Sequence, residues 1–119
     1  MVAVGGALGA MMRYGVSAYF GASAVFPWAT FGINIAGSFA IGLLWGGFGH
    51  TEWFHQWGRV LLVVGVLGGF TTFSAFSLEV LHLADDGRLL GAALYAGGSV
   101  LCCLAGVLLG VRTGYLWAS

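Results

Sequence analysis

The stretch Gly65-Val-Leu-Gly68-Gly69-Phe70-Thr71-Thr72-Phe73-Ser74-Ala75-Phe76-Ser77-Leu78-Glu79 decides how this chain is read. It lies in an apolar run, yet paired glycines followed by two threonines suit a helix interior poorly, each Gly costing about 1 kcal/mol relative to Ala. The run, from about 58 to 83, is also longer than the ~20 residues that cross a ~30 Å hydrocarbon core. Together these features predict a membrane helix broken near the bilayer midplane. Backbone exposed at that depth is tolerated only where it is buried in protein or lines a cavity, and carbonyls freed there can hold a cation. Phe73 and Phe76 lie three apart on one face, and Glu79 follows three further on.

Outward from this segment, the composition names the solvent. The 119 residues include four basic and four acidic side chains, 7% charged, where a soluble domain carries about 25%. All four basic residues are Arg. Hydrophobic residues make up 60% and glycine fills 22 positions, so too few charges remain to cover a water-facing surface. Disorder would need the opposite composition. A net charge of zero without basic-aromatic interleaving excludes nucleic acid as a partner. Cys102 and Cys103, adjacent in an apolar run, suit neither a metal knuckle nor a disulfide framework and read as small buried hydrophobes. The start, Met-Val-Ala-Val-Gly-Gly, has no basic n-region, so no cleaved signal peptide is expected.

Charges and turn residues divide the chain into four spans, at about 2–20, 28–48, 59–83 and 89–111, forming one all-α membrane domain over 1–119. A short connector over 21–27 places Pro27 in the first turn of the second helix. A polar loop over 50–57 precedes the third span, and Asp85-Asp86-Gly87-Arg88 closes it. Trp28, Trp53, Trp57 and Trp117 fall near span ends, where amphipathic rings favour the headgroup layer. Arg59 and Arg112 lie on one side, Arg88 on the other and Arg13 within the first span. So slight a bias sets no firm orientation, which allows insertion both ways and an antiparallel pair, the alternative being the noisy charge count of any short protein. Gly5/Gly9, Gly42/Gly46, Gly65/Gly69, Gly87/Gly91 and Gly106/Gly110 are small-xxx-small pairs that let helices approach closely.

Polar residues inside spans are each site hypotheses, because they are costly in lipid. Thr30, Asn34 and Ser38 recur every fourth residue on the second span, and Tyr95, Ser99 and Cys103 do so on the fourth. Two hydrogen-bonding stripes read as opposite walls of a passage. The alternative for Ser38, Ser99 and Cys103 is local bonding to helix carbonyls. Asn34 needs partners for two donors and an acceptor. No nucleophile–base pair is present, so no enzyme is expected. Glu79 with His82 forms a Glu-x-x-His, but the other acids, Glu52, Asp85 and Asp86, sit in loops, which argues against a metal enzyme. Hydroxyl and amide donors with phenyl ring edges, the positive rim of the aromatic quadrupole, suit a small anion that accepts hydrogen bonds strongly. Conduction needs such weak, multiple sites rather than fixed cations.

Three motifs then carry a family likeness: Gly5-Gly6-Ala-Leu-Gly9-Ala-Met-Met-Arg13-Tyr14; Asn34-x-x-Gly37-Ser38-Phe39; and Gly68-Gly69-Phe-Thr71-Thr72-Phe73-Ser74-x-Phe76-Ser77-x-Glu79. Over essentially the whole chain the sequence resembles the bacterial fluoride-exporting channels of the CrcB/Fluc type. The resemblance implies a multi-pass protein of the bacterial inner membrane, with four-helix subunits in a dual-topology antiparallel homodimer holding two passive fluoride pores. It implies that Phe73 and Phe76 line the pores by their ring edges and that Asn34 donates to the ion. Thr72, Ser74, Ser77, Tyr95 and Ser99 fall on its polar lining, and Arg13 and Glu79 around vestibule and pore. The carbonyls of Gly68 and Thr71 would hold a structural Na⁺ at the dimer interface. Ala75 stands where the family commonly has Thr or Ser, and Cys103 where Ser is common. The competing readings are a small proton-coupled dual-topology drug exporter, which needs a carboxylate early in the chain that the first two spans lack, and a non-transporting packing subunit suggested by the glycines.

Overall fold

The computed structural model describes residues 1–20 and 26–119, so most of the expected connector at 21–27 lies outside the described residues. Among the described residues all regular structure is helical: α1 (Val2–Phe20), α2 (Trp28–Phe48), α3 (Phe54–Leu67, continued by Gly68–Phe70), α4 (Phe73–Asp85) and α5 (Leu89–Ala118). Three spans are long and apolar enough to cross a bilayer: Trp28–Phe48 with 21 residues, Phe54–Asp85 with 32, and Leu89–Ala118 with 30. Helix α1 has 19 residues, but Gly5, Gly6, Gly9, Gly15, Arg13 and two tyrosines leave it less apolar than these three.

Glycine sets the helix packing. The α2–α5 pair is the most extensive contact in the fold. A Cβ placed on Gly42 or Gly46 would overlap the backbone of Val107 or Val111, and one on Gly114 would come 2.6 Å from the Leu43 carbonyl. The α1–α3 pair is built alike, with Gly5 facing Leu61 and Gly65, and Gly69 facing Gly6 and Ala10. Without a hydrophobic drive between helices in lipid, backbone proximity supplies the dispersion contacts that hold them. The exception is Gly87/Gly91. Gly87 takes a positive φ of 79° in the turn between α4 and α5, and a Cβ there meets nothing within 4 Å. That pair ends a helix, as Gly past a C-terminus often does, and packs no helix face.

Several boundaries differ from the sequence expectation. The loop expected over 50–57 is short, because helical backbone resumes at Glu52. Aromatic packing holds this end: Phe48 lies 5.2 Å from Trp53 and 5.3 Å from Trp117, and Trp53 lies 5.2 Å from Trp57, centroid to centroid. The third span therefore starts before 59 and ends at Asp85 rather than 83. The last helix continues past 111 to Ala118, since Gly114 still packs on α2 and Thr113 bonds back to the Leu109 carbonyl at 2.8 Å. Pro27 stands just before α2, where its carbonyl accepts from Phe31 N–H at 3.1 Å, rather than in the first turn. Cys102 is exposed on α5 and Cys103 half-buried, so neither is the fully buried hydrophobe expected.

The break in the third span is present, but not at its glycines. Gly68 and Gly69 stay helical, and the chain extends at Thr71 (φ −82°, ψ 158°) and Thr72 (φ −151°, ψ 121°). β-branched threonine tolerates extended backbone well. The Thr72 hydroxyl then accepts from Ala75 N–H at 3.1 Å and caps α4. Before the break α3 is wound wide, with i→i+5 bonds such as Gly68 N–H to the Val63 carbonyl.

Candidate functional site

The two extended threonines need partners for backbone groups taken out of the helix ladder. Asn34, on α2, supplies them for Thr72. Its Nδ2 donates to the Thr72 carbonyl at 3.1 Å, and its Oδ1 accepts from Thr72 N–H at 2.9 Å. The side-chain amide thus acts as a one-residue strand, leaving one N–H of the amide uncommitted to Thr72. Thr71 Oγ1 donates to the Leu67 carbonyl at 2.9 Å, and Arg13 Nε donates to the Gly69 carbonyl at 3.1 Å. Gly37, one turn past Asn34, leaves room for the Thr71 methyl, which a Cβ at 37 would overlap. Side chains from α1 and α2 therefore fix both ends of the break.

Beside the break lies a groove of about 390 Å³, lined from α2 by Asn34 and Ser38, from the broken span by Gly68, Thr71, Thr72, Phe73 and Phe76, and from α5 by Ser99 and Cys103. The two polar stripes thus meet across this groove. Ser99 is 6% exposed, and its Oγ is buried without a hydrogen-bond partner. A buried hydroxyl in that condition is uncommon, and this one belongs to a residue that lines the groove. Phe73 is 78% exposed, its ring 5.5 Å from Phe76, which in turn packs 5.1 Å from Tyr95.

The remaining candidates adjoin the groove without lining it. Tyr95, fully buried, donates its hydroxyl to Glu79 Oε1 at 3.5 Å, and the buried Thr30 hydroxyl faces the same carboxylate. This polar knot sits behind Phe76. Ser74 is exposed, 3.4 Å from the Thr72 hydroxyl, and Ser77 is exposed with its Oγ donating to the Phe73 carbonyl at 3.0 Å. Arg13 is engaged with the Gly69 carbonyl behind the break. Sequence reading did not anticipate the Asn34–Thr72 pairing or the Arg13 contact. The spacing of Asn34 and Gly37, an amide and a gap on one face, was the available signal for the first.

A cation would have to be held here by backbone oxygens. Among the described residues no three His, Cys, Asp or Glu side chains come together as a metal site. Thr72 N–H, which in a continuous helix would bond the Gly68 carbonyl, goes to Asn34 instead. Ala75 N–H, which would bond the Thr71 carbonyl, goes to the Thr72 hydroxyl. The break therefore releases the Gly68 and Thr71 carbonyls from the ladder, and hard oxygen donors fit a hard cation such as Na⁺.

A family model described as CrcB-like protein, Camphor Resistance (CrcB), matches residues 1–111. A protein named Fluoride-specific ion channel FluC from Novosphingobium aromaticivorans is 47% identical over 119 residues, covering 92% of this chain and 90% of its own. The FluC of Hyphomonas neptunium is 48% identical over 118 residues, covering 93% and 90%. That of Thermus thermophilus is 46% identical over 121 residues, covering 96% and 91%. A match over nearly the whole chain, through the broken span and both polar stripes, places this protein in the CrcB-like family.

Proposed function

We propose that this chain is a passive fluoride channel, not an enzyme, and that fluoride passes beside the broken span. One observation carries the reading. The groove at Thr71–Thr72 joins an amide with a spare N–H, a buried hydroxyl without a partner and two phenyl rings, with no acidic side chain among the residues lining it. Such a wall offers several weak donors to an anion and no fixed cation to trap it. Near relatives that carry the name fluoride-specific ion channel support the choice of ion.

In this reading α1 is a fourth span and the subunit works as an antiparallel homodimer with two pores, resident in a bacterial inner membrane. The 78% exposure of Phe73 supports pairing, since a pore-lining ring needs a second wall that one subunit does not supply. The Gly68 and Thr71 carbonyls would hold Na⁺ where two breaks meet, tying the copies together. Asn34 and Ser99 donate to fluoride, and Phe73 and Phe76 present ring edges. Thr72 continues the lining, Ser74 and Ser77 adjoin it, and Tyr95, Thr30 and Glu79 hold Phe76 from behind. Arg13 keeps the break in place from α1. No energy source is needed. Hydrogen fluoride enters a cell neutral and dissociates in the more alkaline interior, and a negative membrane potential drives the anion out by about 2.3 kcal/mol per 100 mV. A proton-coupled drug exporter would need an acidic side chain in α1 or α2, and neither has one. Reconstitution into fluoride-loaded liposomes is the test. Rapid fluoride release with chloride retained supports the channel, and liposomes that retain fluoride contradict it.

A further inference from the structure

The groove beside the break does not stop at Ile41 and Val63. Both side chains also line a second cavity, of about 450 Å³, which continues toward the α2–α3 loop past Trp45 and Phe54. Along α5 the four-residue spacing of Tyr95, Ser99 and Cys103 carries on to Val107 and Val111, so the hydrogen-bonding stripe ends where this outer cavity begins. Its walls are apolar apart from the Trp45 indole N–H and Arg59. Among the residues lining it, Arg59 is the single charged one, and it is exposed.

The surrounding charges leave this end of the molecule positive, with Arg59 the one that lines the cavity. The end of α2, the start of α3 and the end of α5 lie together, as the Phe48–Trp117 ring contact of 5.3 Å shows. That end carries Arg59, Arg112 and Glu52, two positive less one negative, or +1. The opposite end carries Arg88, Asp85 and Asp86, one positive less two negative, or −1. Glu52 is turned to its own helix, where Oε1 accepts from Gln56 Nε2 at 3.1 Å.

We propose that the Arg59 cavity is the antechamber of the conduction path, and that Arg59 concentrates the permeating anion at its mouth. The proposal rests on the reading that the groove conducts an anion. An exposed guanidinium at the cavity attracts through its field and holds weakly, so it speeds entry without trapping the ion. A unit charge about 10 Å from the ion's path in water changes local anion concentration about twofold when unscreened. Neutralising Arg59 should then slow entry about twofold and reversing its charge about fourfold, at ~10 mM salt, where the Debye length is about 30 Å. At ~1 M, where it is about 3 Å, the differences should vanish.

The experiment compares the parent protein with Arg59→Lys, Arg59→Gln and Arg59→Glu, reconstituted in neutral-lipid liposomes. Fluoride efflux is measured at low and at high ionic strength, and the ratio of the two rates is taken within each preparation. This ratio is independent of how much protein folded. The proposal expects the parent and Arg59→Lys to share the largest ratio, with Arg59→Gln and then Arg59→Glu below. Equal ratios in all four proteins, or Arg59→Lys falling with Arg59→Gln, overturn the antechamber and leave the channel reading standing. A parent that releases no fluoride overturns both.

Discussion

Replacing Asn34 by Leu removes the two hydrogen bonds, 3.1 and 2.9 Å long, that pair the side chain with the Thr72 carbonyl and N–H. Leu fills nearly the same space, so the change isolates the polar pairing from cavity formation. Both Thr72 groups are then left unsatisfied inside the span, at about 1–3 kcal/mol each. Asn34 and Thr72 are half-buried, so water or a neighbour recovers part of this, and the loss should lie near about 2–4 kcal/mol. In thermal unfolding of the purified protein that is a fall in midpoint of about 6–20 °C for a domain of this size. Ser38→Ala, one turn along the same face, serves as control and should stay within about 0.5 kcal/mol of the parent. Hydrogen exchange supplies a local readout, with the Thr72 amide protected in the parent and exchanging freely in Asn34→Leu. An unchanged midpoint with Thr72 still protected would refute the idea that the Asn34 amide holds the break.

Ser99→Ala deletes a buried hydroxyl that bonds nothing in the subunit, so unfolding should not shift downward, while fluoride efflux falls about threefold to tenfold; lost stability with unchanged efflux would assign it a structural role. Gly37→Ala drives a methyl into Thr71 Cγ2 and should cost about 1–3 kcal/mol, whereas Gly32→Ala, which faces open space, should be neutral or slightly stabilising; equal midpoints would count against the packing described. Phe73→Ile or Phe76→Ile removes ring edges worth about 0.5–1.5 kcal/mol to a bound partner, so efflux should slow about threefold to tenfold with folding kept. Undiminished efflux in both would remove the phenyl rings from the path.

Much of this arrangement is legible in the residues themselves. Charge scarcity names the membrane, hydropathy places the ends of α2, and Gly-Gly-Phe-Thr-Thr announces a break within a few residues of its position. Three of the glycine pairs that pack, Gly42/Gly46, Gly5/Gly9 and Gly65/Gly69, stand out by spacing alone. Gly87/Gly91 has the same spacing and a different role, because a small-xxx-small pair does not say whether a helix still exists at its first member. The start of α3 and the end of α5 escape a hydropathy reading, since Trp53, Trp57, Arg112 and Thr113 look like loop residues yet are helical. The break falls at the threonines because Asn34, distant in sequence, offers Thr72 a better partner than its own helix does. The Asn34–Gly37 spacing hints at that pairing without naming its partner, and the Arg13–Gly69 contact has no local signal.

The central claim is that fluoride, and not larger halides, passes the Asn34–Ser99–Phe76 groove. Efflux from liposomes loaded with equal fluoride and chloride, read by ion-selective electrodes, tests it most directly. The account predicts that the purified protein releases the fluoride while chloride stays inside, and that Ser99→Ala slows the release. Equal release of both ions, or retention of fluoride by well-folded protein, would contradict it.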